Sequence, residues 1–180
     1  PHPRPSVDQE KWTIPGEILD SLRAAADHPL GERLDLATRP VLGSLYIEEA
    51  EGEGTAPDLD PPSRYDVFDC MTLVEDGLSL ALSADPLYAP TIRDSLRYKY
   101  GSEEKSYKNR LHFMEAEWIP NAIARGYLVD VTESLGHARV VNKTVTLDTW
   151  KRWGRRTRVF NAFADNELPV GSWRLPVLSI

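Results

Sequence analysis

The chain has 180 residues, 41% of them hydrophobic and 27% charged, which is the make-up of a globular protein long enough to bury a core without metals or disulfides. Its 21 Lys and Arg against 28 Asp and Glu leave a net charge of −7, which argues against a nucleic-acid partner because phosphate binding needs a basic face. No apolar run reaches the length of a membrane-spanning helix. The single cysteine excludes an internal disulfide and a multi-cysteine zinc site. No secretory leader is visible, and the opening Pro1-His2-Pro3-Arg4-Pro5 reads as a processed or trimmed start.

Residues 1–15 hold four prolines and little periodicity, so they read as an extended arm, with one domain expected over residues 16–180. From Gly16 to Asp27 the residues Ile18, Leu19, Leu22, Ala25 and Ala26 recur at helical spacing, and Pro29 ends the run. A shorter apolar set, Leu34, Leu36, Val41 and Leu42, leads into Gly43-Ser44-Leu45-Tyr46. Residues 48–63 are rich in acid, glycine and proline, and are expected to run over the surface as a solvated excursion rather than a functional lid. A core helix follows, with Met71, Val74, Leu78, Ala81 and Leu82 on its apolar face, Asp69 at the N-cap and Cys70 at the first helical position.

A second helix is expected from Tyr88 to Tyr98, with Tyr88, Ile92 and Leu96 inward, Pro90 in its first turn and Gly101 as its stop. Residues 102–109 are polar. Leu111-His112-Phe113-Met114 and Trp118-Ile119 open a mostly helical stretch ending at Gly126. Leu128 to Thr132 and Ala138 to Leu147 alternate as strands do. In the tail, Lys151, Arg152, Arg155, Arg156 and Arg158 interleave with Trp150, Trp153 and Phe160. In so acidic a chain this reads as a solvated face with aromatic anchors, not as a nucleic-acid surface.

Cys70 is either a small buried hydrophobe or a reactive thiolate. Position raises the second reading to stand level with the first. At a helix N-terminus the unpaired amides and the helix dipole stabilise a thiolate, and the same amides can donate to a developing oxyanion. A thiolate nucleophile needs a base, and the chain offers His2, His28, His112 and His137. His2 lies in the arm and His28 at a helix end before a proline. His112 sits between apolar residues, as a partly buried structural histidine does. His137 follows Gly136 at the head of a strand, where either a turn residue or a base would stand. The chain has no glycine-rich phosphate loop, no Gly-x-Ser-x-Gly elbow and no histidine pair at metal-ligand spacing.

Several blocks together resemble the bacterial N-acetylmuramoyl-L-alanine amidase-like family of papain-like (NlpC-type) cell-wall hydrolases. They are Leu42-Gly43-Ser44-Leu45-Tyr46; Gly52-Glu53-Gly54 with Asp58-Leu59-Asp60-Pro61; and Arg64-Tyr65-Asp66-Val67-Phe68-Asp69-Cys70-Met71-Thr72-Leu73-Val74-Glu75. Asn109-Arg110-Leu111-His112-Phe113, Trp118-Ile119-Pro120-Asn121 and Asp130-Val131-Thr132 follow in the family's order. The departures are Leu45 in place of the proline before the tyrosine, Glu117 in place of the Asp before Trp118, and Met71 where many relatives carry a hydroxyl.

The resemblance implies an α+β papain-like fold: a helix-rich N-terminal half, with the nucleophile at a helix N-terminus packed on an antiparallel sheet. It implies hydrolysis of peptidoglycan stem-peptide amides through a Cys70 acyl-enzyme, with no metal or organic cofactor, in the periplasm or outside the cell. Cys70 and His112 are then the catalytic candidates. Tyr46 would place its hydroxyl near the oxyanion, Asp69 would cap the helix and face the substrate amine, and Trp118 would lie close to the site. The family's general base sits on a later strand in a His-x-Gly pattern, whereas Arg139 lies two positions after His137. A C-terminal segment or partner chain is therefore expected to supply strands and a histidine, the domain being incomplete at that end. The apolar run from Trp173 to Ile180 reads as a strand cut short. The base is left among His112, His137 and a histidine outside this chain. The rival readings are an inactive relative that binds peptidoglycan or a protein, and an acyltransferase using the same intermediate.

Overall fold

The computed structural model describes residues 13–153, 159 and 162–178. His2 and most of the expected arm, Arg155, Arg156, Arg158, Phe160, and the side chain of Trp153 lie outside the described residues. The fold is a mixed α+β arrangement in two compact units, which divide between Ser95 and Leu96. Among the described residues, no helix is long and apolar enough to cross a membrane.

The first unit begins with α1 (Gly16–Ala24), launched by Pro15, whose Ile18 and Leu22 are fully buried as their spacing predicts. Pro29 then starts a second helix, α2 (Leu30–Thr38), that the apolar pattern did not announce. The reason is its inverted face: Leu30 and Leu34 are exposed, whereas Arg33 and Ala37 are buried. Arg33 donates to the carbonyl of Ser83, satisfying the end of the next helix. α2 packs on α3 (Cys70–Leu82). A Cβ on Gly77 of α3 would come within 2.7 Å of Thr38 Cγ2, so glycine permits that close approach.

The spacing identified α3 correctly but not all of its inward residues. Val74 is 42% exposed, and Thr72, Glu75, Asp76, Ser79 and Leu80 are buried instead. Asp76 has a partner in Arg93, 3.9 Å away and also buried, so each charge of this pair faces its opposite. Ile18, Leu22, Ala37, Leu80 and Ala89 form the apolar cluster.

Two short strands, β1 (Leu45–Tyr46) and β2 (Val67–Phe68), pair in parallel, with Tyr46 opposite Phe68. The segment between them is not a solvated excursion. Ala50, Glu51, Gly52, Asp58, Pro61, Ser63 and Arg64 are buried. The loop satisfies its own backbone: Gly52 N–H donates to Pro61, Glu53 to Asp58 and Gly54 to Asp60. The buried Glu51 carboxylate accepts the Arg64 amide at 3.0 Å. Acid composition misled the reading because the buried carboxylates here accept backbone amides, Glu51 that of Arg64 and Asp58 that of Asp60.

α4 (Ala89–Arg97) opens with Pro90 in its first turn, as expected, and buries Leu96; Tyr88, expected inward, is 68% exposed. Gly101 follows at φ +77°. The second unit has its own core of Tyr107, Phe113, Ala116, Val145, Trp150 and Val159. A π-type turn, Met114–Trp118, runs into α5 (Ile119–Ala124), and Gly126 at φ +78° stops it.

The strand expected over Leu128–Thr132 is absent. Asp130 Oδ1 accepts the Thr132 amide at 2.8 Å and starts the short helix α6 (Thr132–Leu135). Val129 and Val131 are exposed, so their alternation reflects no buried face. β3 (Ala138–Val145) forms as predicted and pairs antiparallel with β4 (Gly171–Leu178), Val141 opposite Leu175. The apolar run from Trp173 thus belongs to a paired strand. Between them, α7 (Leu147–Trp153) buries Trp150, whose Nε1 donates to the Pro169 carbonyl at 2.7 Å, while Lys151 and Arg152 are exposed.

Candidate active site

The local sequence around Cys70 builds a capped helix start. Asp69 is extended, with φ −104° and ψ −179°, and its Oδ1 accepts the amides of Met71 at 2.9 Å and Thr72 at 2.8 Å. Thr72 returns the bond: its Oγ1 accepts the Asp69 amide at 2.9 Å. Cys70 is therefore the first residue of a well-capped helix, and it is exposed rather than packed in the core. Two of the amides at the head of α3 are occupied by Asp69. Among the described residues, the Cys70 amide itself donates to no acceptor.

The β1–β2 pairing sets Tyr46 beside Phe68, two residues before the cysteine, and Tyr46 is 65% exposed. The Ile47 amide donates to the Phe68 carbonyl at 3.0 Å. A turn at Glu48–Glu49, with Glu49 at φ +55°, brings the Ala50 amide to Asp69 Oδ2 at 3.3 Å. Tyr46, Asp69 and Cys70 are thus brought together within the first unit. The Ala50 amide was not foreseen as part of this arrangement. It lies in a segment whose acidity pointed outward, and only the buried, Cβ-intolerant Gly52 close by signals a tightly folded loop: a Cβ there would meet Asp58 Oδ1 at 2.6 Å.

His112 and Trp118 belong to the second unit. His112 is half-buried, with its ring 4.4 Å from that of Tyr107 and 5.0 Å from that of Trp150. Its Nε2 bonds the Tyr107 carbonyl at 2.7 Å. Loss of water around the ring, reinforced by the Arg110 and Lys99 cations, pushes its pKa down to about 3, against the pull of that carbonyl. The His112 imidazole is neutral at physiological pH, with Nε2 as the donor. Glu117 holds the turn from below: its Oε2 accepts the amides of His112 at 3.0 Å and Phe113 at 3.2 Å. Burial raises the Glu117 pKa against those two bonds. Trp118 is 3% exposed and serves the interior of its unit.

His137 is exposed and directly precedes β3, and His28 is exposed and bonds Glu32 at 2.9 Å on α2. No group of three or more His, Cys, Asp or Glu among the described residues is arranged to hold a metal ion.

Residues 37–164 match the sequence family of N-acetylmuramoyl-L-alanine amidase-like (AmiA-like) proteins. A comparison with curated proteins gives no match. Among solved structures, the chain is similar to a Legionella pneumophila protein of the DUF1460 family, with 26% identity and a TM-score of 0.69, over 91% of this chain and 63% of the other. It is also similar in fold to an N-acetylmuramoyl-L-alanine amidase from Bacteroides uniformis, with 20% identity and a TM-score of 0.53, over 79% of this chain and 63% of that one. The chain thus aligns with less than two thirds of the length of either structure. The matched residues take in Tyr46, Asp69, Cys70, His112 and Trp118, and they make up more than half of the sequence. The chain belongs to the N-acetylmuramoyl-L-alanine amidase-like family.

Proposed function

We propose that this chain is a peptidoglycan amide hydrolase of papain-like, NlpC type that works through a Cys70 acyl-enzyme. The observation that carries the reading is the exposed thiol at the first position of the capped helix α3, in a chain of this family. The Cys70 thiolate adds to the carbonyl carbon of a stem-peptide amide. The resulting oxyanion takes the free Cys70 amide and, by the family resemblance, the Tyr46 hydroxyl. The C–N bond breaks as a general acid protonates the leaving amine, leaving a thioester. Water adds to the thioester, and the freed carboxylic acid departs with the thiol regenerated. The substrate places this work in the periplasm or outside the cell.

His112 is assigned here to the scaffold rather than to proton transfer. A ring nitrogen committed to a backbone carbonyl and a pKa near 3 leave it a poor base at neutral pH. The base role passes to His137 or to a histidine outside this chain. Loss of turnover in His137→Ala with folding intact assigns it to His137; wild-type turnover assigns it elsewhere.

The test is digestion of purified peptidoglycan and weighing of the released fragments. Wild-type protein should release peptides, and Cys70→Ser, which changes little in shape, should release none. Fragments from Cys70→Ser at the wild-type rate would remove the nucleophile assignment. Binding without cleavage by the wild type would favour an inactive peptidoglycan-binding relative, and products joined to an added amine would mark an acyltransferase.

A further inference from the structure

We propose that Asp69 is a positioning residue that latches the tyrosine strand to the nucleophile helix. The inference rests on the reading of Cys70 as the nucleophile. It gives Asp69 a task different from binding a substrate amine.

The two carboxylate oxygens have separate partners. Oδ1 takes the Met71 and Thr72 amides and caps α3. Oδ2 takes the Ala50 amide at 3.3 Å, 19 residues back in the chain. One side chain thus ties the residue before Cys70 to the segment just after Tyr46. The tie closes a short ring of structure: Tyr46 pairs with Phe68, Ile47 donates to the Phe68 carbonyl, the chain turns at Glu48–Glu49, and Ala50 returns to Asp69.

Two further features show that the turn is held in place by its surroundings. Glu49 sits at φ +55°, a conformation unfavourable to a non-glycine residue that persists only when neighbouring contacts impose it. Ala50 is 3% exposed and Glu51 is 2% exposed, with the Glu51 carboxylate on the Arg64 amide. The segment is therefore fixed on both sides of the latch. Without the Oδ2 bond, the 46–50 segment keeps its pairing at Phe68 but loses its tie to the head of α3. The exposed Tyr46 side chain is then no longer held at a set distance from Cys70. A misplacement of about 1 Å in such a constellation slows chemistry by orders of magnitude.

Asp69→Asn separates the two tasks. Its amide oxygen can stay on Met71 and Thr72, but the NH2 group in place of Oδ2 cannot accept from Ala50. Asp69→Ser is the second variant: it caps a helix well but has one oxygen, so it too lacks the latch. Hydrogen exchange on the full chain reads the latch directly. In both variants the Ala50 amide should exchange at least about tenfold faster, while the α3 amides keep their protection. On peptidoglycan fragments, kcat should fall about tenfold or more with KM unchanged, equally for substrates with a free or an acylated amine. Unchanged Ala50 exchange in both variants overturns the latch. Lost Ala50 protection with wild-type kcat overturns its positioning role. A rise in KM confined to free-amine substrates makes Asp69 a substrate ligand instead. If the wild-type chain itself cleaves nothing, the proposed hydrolase fails, and the exchange measurement still decides whether the latch exists.

Discussion

His112 shows how one residue's surroundings set its protonation. Held near pKa 3, it stays neutral in the folded chain well below the value of about 6.5 that it recovers on unfolding. Between those values the unfolded state binds the proton and the folded state does not. Stability is therefore full above about pH 6.5 and falls as the pH drops, by at most about 1.4 kcal/mol per pH unit. Glu117 acts in the opposite sense: its raised pKa makes the folded state bind a proton first, so acid favours folding in that lower window. The His112 contribution is cleanest above the carboxylate range. Urea unfolding at pH 7 and pH 5.5 should show wild-type stability falling, with a smaller fall in His112→Phe, which keeps the ring stack but has no titrating group. Equal falls in both would show that His112 is not the source. His112→Phe should also be less stable at pH 7 by about 1 kcal/mol, since the Tyr107 carbonyl loses its donor.

At the scale of elements, α3 carries the clearest lesson about legibility. Its N-terminus was readable because the signal is local: an aspartate just before a run at helical spacing, with Cys70 following it. Its inward face was only half readable, since Glu75 and Asp76 are inside and Val74 is outside. Hydropathy cannot foresee that Asp76 meets Arg93, 17 residues on. Leu80→Ala, at a fully packed site, should cost about 2–5 kcal/mol, whereas Val74→Lys should change stability by no more than about 0.5 kcal/mol. Chemical denaturation of the two variants checks this, and comparable losses would return Val74 to the core. The same locality explains where α5 ends. Gly126 was legible as a stop because its φ of +78° demands glycine, and Gly126→Ala should cost about 1 kcal/mol. By contrast, the Asp130–Thr132 bond that starts α6 was hidden under an alternating pattern that looked like a strand.

At the scale of the whole molecule, the order of short blocks from Leu42 to Thr132 pointed to the family, because each block is local and their sequence order is kept. The division after Ser95 into two compact units was not legible, since each core gathers residues from distant stretches: Ile18 with Leu80 in one, Tyr107 with Val159 in the other. One global fact of composition makes the functional reading unusually easy to test. The chain has a single cysteine, and it is exposed, so every thiol adduct reports on Cys70 alone. If Cys70 is the nucleophile, iodoacetamide should abolish peptidoglycan cleavage in proportion to the adduct measured by intact mass, with activity extrapolating to zero at one adduct per chain. A peptidoglycan fragment added first should slow both labelling and inactivation by the same factor, because substrate and alkylator compete for one sulfur. Activity persisting in fully alkylated protein would place the chemistry on another residue. Labelling that substrate leaves unchanged while activity is lost would mean that the bulky adduct blocks the path to a nucleophile elsewhere.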